Sequence, residues 1–171
     1  MRSNEIPQDE MNIQLVPMVA SQWVELENWV EAYFLHDGLR FDAKVRAGIR
    51  ELLEHPEYGV AWVILRGGIE AGYCVMTYGF DHEVGGRTGV VTDFYLSEHS
   101  RGEGIGSRVL DLMIDHARGT GLRQVELFVL DHNDGARRLY ERRGFRAVTG
   151  REILVLPLDA DAEASSDVIE D

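Results

Sequence analysis

SEHSRGEGIGSRVL, residues 97–110, is the stretch whose reading decides the fold. Three glycines, Gly102, Gly104 and Gly106, alternate with other residues. A strand-like run (VVTDFYL, 90–96) precedes them and a helix-like run (RVLDLMIDHA, 108–117) follows. Glycines at a strand-to-helix turn bring backbone N–H groups close to a phosphate, and the helix adds its positive end. The turn therefore reads as an anion cradle.

Working outward, MNIQLVPM (11–18) reads as a short strand ended by Pro17. From Ser21, apolar residues recur at Trp23, Leu26, Val30, Tyr33 and Phe34, the spacing of one helix face, and Gly38 closes it. A second helix is predicted from Asp42 to about Glu54, before Pro56. GVAWVILR and IEAGYCVMTYGF flank Gly67-Gly68, a two-residue hairpin signal. After the glycine turn come a helix at about 106–118, the strand RQVELFVL (123–130) and a short helix in DHNDGARRLYERRGF (131–145). Asn133 or Asp134 caps that helix and Gly144 ends it. REILVLPL (151–158) reads as a last strand. The order β-α-α-β-β-β-α-β-α-β, hairpins first and one βαβ crossover later, predicts a mixed sheet in an α/β or α+β domain.

The length of 171 residues fits one domain, with 44% hydrophobic residues to build its core. Cys74, the single cysteine, has no intrachain partner for a disulfide, which fits a reducing compartment. The polar, acidic start is unlike a signal peptide, and the longest apolar run, VAWVIL, is far short of a membrane span. A soluble, cytoplasmic protein is expected. Of the net charge of −13, residues 159–171 carry six acids and no base and read as a disordered tail. Residues 1–10 read as a disordered N-terminus, leaving 11–158 as the domain. Residues 13–100 hold 13 acids and 6 bases, whereas 101–158 hold 8 acids and 10 bases. That division suits a polyanionic cofactor beside a cationic substrate, and equally a solvated surface. Clustered Lys and Arg on a basic domain are missing, so neither nucleic acid nor a membrane is an expected partner.

The turn fails the dinucleotide fingerprint G-x-G-x-x-G, because position six is Ser107 counted from Gly102 and Val109 counted from Gly104. It fails the Walker loop for want of a Lys-Ser or Lys-Thr pair. What fits is Arg101-x-x-Gly104-x-Gly106 between strand and helix, followed 27 residues on by Asn133, Ala136, Tyr140, Gly144 and Phe145. On these two motifs and the element order, residues 11–157 resemble the GNAT superfamily of acyl-CoA-dependent N-acyltransferases. The resemblance implies a mixed, mostly antiparallel sheet with splayed central parallel strands and flanking helices. It also implies acetyl-CoA as co-substrate, no metal, and a homodimer.

By that resemblance, backbone N–H groups from Gly102 through Glu103, Gly104, Ile105 and Gly106 to Ser107 receive the pyrophosphate, and Arg101 positions the loop. The pantetheine arm lies between strands 92–96 and 124–130, beside Tyr95, Leu96, Asn133 and Tyr140. Arg142 and Arg143 sit near the outer phosphate or on a solvated helix face. Acyl transfer to an amine needs a base, an oxyanion donor and an acid for the leaving thiolate. The family's donor is a backbone N–H that falls here on Leu96, and Tyr140 stands at its general acid. Tyr140 also shares an apolar face with Ala136 and Leu139, where a core role fits the spacing. For the base, Asp93, Glu126 and His82 are open, as is a relay through water. Strand alternation places Val91, Asp93 and Tyr95 on one face. The histidines show no paired metal spacing, and Cys74 reads as packing.

The run TDFYLSEHSRGEGIGSRVL is most similar to the diamine and polyamine acetyltransferases, which carry an acidic pair where Thr92 and Asp93 stand. The implied acceptor is the primary amine of a small cationic metabolite such as a polyamine. Glu27, Glu31, Asp37, Asp81 and Glu83 are candidates to hold its charge, and Trp29, Tyr33 and Phe41 to line its pocket. Two alternatives are a protein or peptide N-acetyltransferase and a non-catalytic acyl-CoA-binding module. FVLDHN (128–133) departs from the E-V-R-x-x-N stretch of the first, and Tyr140 with intact glycines counts against the second.

Overall fold

In the computed structural model, residues 12–158 are described. The segments read as disordered, 1–10 and 159–171, lie outside the described residues. β1 (Ile13–Pro17) leads through a single 3-10 turn into α1 (Trp23–His36). α2 (Ala43–Glu54) starts where the sequence supplies a cap: the Asp42 carboxylate accepts from the N–H groups of Lys44 and Val45, at 2.9 and 3.1 Å. The hairpin of β2 (Gly59–Arg66) and β3 (Ile69–Asp81) follows, then β4 (Gly86–Leu96), α3 (Ile105–Gly119), β5 (Gln124–Leu127) and α4 (Asp134–Arg142).

The five strands lie side by side in chain order. All pairs are antiparallel except β4 with β5, which is parallel and closed by the α3 crossover. α3 lays Ile105, Val109 and Met113 over Trp62, Ile64, Met76 and Val91 on one face of the sheet. On the other face α1 and α2 press Leu26, Val30 and Ile49 against Ala61, Val63, Tyr73 and Val75. Each such fully buried large side chain stabilises the fold by about 1.5–3 kcal/mol relative to exposure.

β4 and β5 stay paired only from Thr88–Gln124 to Val91–Leu127. Beyond Val91, β4 runs on to Leu96 without β5, so the parallel pairing ends there. The strand expected over 123–130 is thus shortened at its end to Leu127.

Two expectations are corrected. Residues 151–158 form no strand, although REILVLPL alternates well. A strand exists only with a paired edge, and no ladder joins this segment to β5; Leu154 is 90% exposed. Val91 and Asp93 do not share a face. The register steps from Val75–Asp93 to Met76–Val91, leaving Thr92 as the extra residue of a β-bulge. The bulge breaks the alternation, so Val91 packs under α3 while Asp93 turns toward α1 and α2.

Candidate active site

The glycine turn has the backbone of an anion cradle. Gly102, Glu103 and Gly104 have φ of +85°, +50° and +80° in succession. A Cβ added at Gly102 or Gly104 would meet nothing within 4 Å, so open space stands over the turn. These two glycines answer a conformational demand: left-handed backbone costs an L-residue roughly 1–2 kcal/mol. Glu103 accepts that conformation, and its carboxylate is ion-paired with Arg66 at the end of β2. α3 begins at Gly104 with no side-chain cap, so the N–H groups of Gly106 and Ser107 emerge from its positive end. Gly106 serves a second purpose, because Leu139 of α4 would lie 3.4 Å from a Cβ there. Arg101 Nε donates to the Leu96 carbonyl at 3.0 Å, tying the turn back to the end of β4.

At that end the hydrogen-bond pattern aims one N–H into the gap. Ser97 N–H donates to Ala71 O at 3.0 Å, which makes that pair a bonded one in the antiparallel ladder. Leu96, opposite Gly72, is then the alternate position, and its N–H faces away from β3. Beyond Val91 no part of β5 is there to take it.

Around the gap the side chains form an aromatic and acidic cluster. Tyr95 has its ring centroid 5.9 Å from Tyr33, 6.3 Å from both Trp29 and Tyr73, and 5.7 Å from the Arg101 guanidinium. Burial pushes Asp93 up to about 6, opposed in part by the Tyr73 hydroxyl beside it. That hydroxyl is fully buried and makes no hydrogen bond of good geometry; proximity to Asp93 is what it offers. Burial also raises Tyr33, with the Asp37 and Asp93 carboxylates and the Tyr140 hydroxyl adding to it. Tyr33 thus stands near both Asp93 on β4 and Tyr140 on α4. Burial raises Tyr140 above its ordinary value, so its proton is held throughout the neutral range.

α4 is held by two devices. Asn133 Oδ1 caps it, accepting from Ala136 N–H at 3.0 Å. Arg143 donates to both oxygens of Asp111 on α3, at 2.5 and 3.1 Å. The Arg143 guanidinium is therefore engaged with Asp111, whereas Arg142 is exposed.

The other expected residues divide. His82 lies in the turn between β3 and β4, at the opposite end of β4 from Leu96, about 30 Å away at strand rise. Glu126 is exposed on β5 and accepts from Gln124. Glu27 pairs with Arg46, and Asp81 and Glu83 sit in the turn with His82. Only Asp37 of the acids offered for substrate charge belongs to the cluster. Trp29 donates to Glu70 at 3.1 Å, and Phe41 packs edge-on to Phe34. Cys74 is buried, and burial pushes its thiol far up. Sequence reasoning missed Tyr73, whose hydroxyl is the one polar atom in a run of apolar residues (AGYCVM). It also missed the Asp111–Arg143 and Arg66–Glu103 pairs, whose partners are 32 and 37 residues apart.

A parallel strand pair that ends at Val91, with a phosphate-type turn beyond it, is the arrangement that an acyl-CoA transferase site needs. The chain belongs to the acetyltransferase (GNAT) family, whose model matches residues 23–145. It is 34% identical over 97 residues to thialysine N-epsilon-acetyltransferase of Bos taurus, covering 54% of this chain and 57% of that protein. The chain thus spans little more than half the length of that curated relative. An integron cassette protein from the mobile metagenome of Cole Harbour Salt Marsh shares the fold, with TM-score 0.73 and 26% identity over 85% of this chain and 91% of that one. So does a protein from Clostridium acetobutylicum described as a predicted acetyltransferase and solved with acetyl-CoA, with TM-score 0.69 and 15% identity over 84% of this chain and 96% of that one. Among the described residues, no helix is long and apolar enough to cross a membrane.

Proposed function

We propose that this chain transfers an acetyl group from acetyl-CoA to the primary amine of a small cationic molecule, by direct attack through a tetrahedral intermediate. The observation that carries the reading is the uncapped glycine turn shortly after β4, at whose end the Leu96 N–H turns away from β3; Asp93 on the same strand and Tyr140 on α4 take their roles from resemblance to the family. Membership of a family that uses acetyl-CoA, and likeness to an enzyme named for an ε-amine, support the same direction.

The fit to acetyl-CoA rests on the open space over Gly102 and Gly104 and on the gap beyond Val91. The N–H groups of Glu103, Gly104, Gly106 and Ser107 hold the pyrophosphate, that of Ile105 being engaged with the Gly102 carbonyl, and the edges of β4 and β5 hold the pantetheine arm. When bound, acetyl-CoA supplies an acetyl thioester.

An alkyl ammonium with pKa about 10.4 must lose a proton at pH 7, a cost of roughly 4.6 kcal/mol. Asp93 attracts the ammonium and takes that proton, directly or through water. Its raised pKa makes it a better base than an exposed carboxylate and leaves it mostly ionised at neutral pH. Leu96 N–H stabilises the oxyanion as the nitrogen–carbon bond forms. Tyr140 donates to the departing sulfur as the carbon–sulfur bond breaks. The proton left on the nitrogen is lost as the intermediate collapses and restores the Tyr140 phenol through water, and Asp93 releases its own to solvent, so the products are an N-acetyl amide and a free thiol.

Thiol release from acetyl-CoA across polyamines, aminoglycosides, amino acids and monoamines tests this, with Tyr140→Phe alongside. Turnover on a small amine, slowed at least tenfold in the variant, is the expected result. Failure to bind acetyl-CoA would remove the reading.

A further inference from the structure

The acceptor side of the site has a shape of its own. A cavity of about 440 Å³ lies between α1, α2 and the sheet, and Asp93 opens into it. Its walls are Leu26, Val30 and Phe34 from α1 and Ile49 and Leu52 from α2, over Val75 on β3. Val75 is the residue paired with Asp93 across the ladder, so apolar floor and carboxylate are neighbours. Polar groups are few: Thr77, Thr92 and Tyr58, with Glu51 on the exposed side of α2. No Lys, Arg or His lines the cavity.

Resting on the acetyl-transfer reading above, we propose that this cavity receives the body of the acceptor and selects a primary amine bearing one charge on an aliphatic or aromatic hydrocarbon. The volume is that of a small-molecule pocket, and its wall rewards buried hydrocarbon. Asp93 pairs with one ammonium. A second ammonium along the same chain would lie against Phe34, Val45 and Leu52, the half-buried apolar lining, which penalises it heavily. Glu51 lines the cavity from an exposed position on α2, so its pairing with a second ammonium is screened by water and offsets little of this.

The test compares kcat/KM for thiol release with propylamine, hexylamine, phenethylamine, the six-carbon diamine and spermidine. Each methylene from propylamine to hexylamine raises kcat/KM about threefold to fourfold. The six-carbon diamine falls at least tenfold below hexylamine. Gly48→Leu supplies a second arm. Gly48 lines the cavity on an exposed helix position, and a Cβ there meets nothing within 4 Å. The substitution favours the helix and fills the cavity, so it lowers hexylamine turnover several-fold more than propylamine turnover.

Equal or better turnover of the diamine or spermidine overturns the inference while leaving acetyl transfer standing. A rate flat in chain length, or a length profile unchanged by Gly48→Leu, overturns the cavity assignment. If acetyl-CoA binds and no amine of either kind accelerates thiol release, the acetyl-transfer reading falls with it.

Discussion

Replacing Asp93 with Asn should stabilise the fold and impair the chemistry. Burial raises Asp93 from 3.8 to about 6, so the folded chain holds this proton more tightly than the unfolded chain does. For a carboxyl raised on folding, stability is lost as pH rises from the unfolded pKa through the folded one. That loss is complete above about pH 7 and amounts to roughly 3 kcal/mol. A neutral Asn avoids it. The gain from Asp93→Asn is therefore about 3 kcal/mol at pH 8 and roughly half of that at pH 5. Any packing difference between the two side chains is common to both pH values and cancels in the comparison. Urea unfolding of both proteins at pH 5 and pH 8 reads the difference directly. A gain that stays constant between the two would mean that Asp93 ionises freely, and the argument from burial would be wrong. The same carboxylate places the acid limb of kcat/KM near pH 6, and Asp93→Asn should remove that limb together with most of the activity.

Four further outcomes are expected. Gly104→Ala, at φ +80°, costs roughly 1–2 kcal/mol and weakens CoA binding at least tenfold, measured by calorimetry. Asp111→Asn frees Arg143 and loosens α4; kcat falls several-fold while the melting temperature moves by no more than about 2 °C. A matching rise in KM with kcat unchanged would count against a role in aiming Tyr140. His116 accepts or donates at 2.9 Å with Tyr78, and burial lowers its pKa, so its contribution to stability is present above about pH 6.5 and lost as pH falls below it. His116→Gln should flatten stability between pH 7 and pH 5 in denaturant melts. Tyr140→Phe should slow thiol release at least tenfold without loosening acetyl-CoA, since the phenol acts as sulfur leaves.

Local signals carried most of the architecture into the sequence. Asp42 announces α2, Asn133 announces α4, and the apolar period of 23–34 announces α1, because caps and helix faces depend on neighbours a few residues away. The glycine turn was legible for the same reason. What the sequence hid depends on distant chain. Strand alternation gave Val91 and Asp93 one face, and only the β3–β4 register exposes the bulge at Thr92 that separates them. REILVLPL has the pattern of a strand, yet pattern specifies no partner, and β5 stops at Leu127. In the site, Asp93, Leu96 and Tyr140 stood out through their motifs. Tyr33 is already a pocket-lining candidate from the sequence, whereas Tyr73 and the Asp111–Arg143 clamp enter through tertiary proximity. The acceptor cavity could not be read at all, since its walls come from four elements whose apolar residues look like ordinary core.

The central claim is that acetyl-CoA lies in the opening between β4 and β5 with its pyrophosphate on the glycine turn. Hydrogen exchange of the backbone amides with and without acetyl-CoA tests it most directly. Exchange is expected to slow at Glu103, Gly104, Gly106, Ser107 and Leu96, with residues 82–85 at the far end of β4 unchanged. Binding that leaves those amides exchanging as before, or that protects the far end instead, would contradict it.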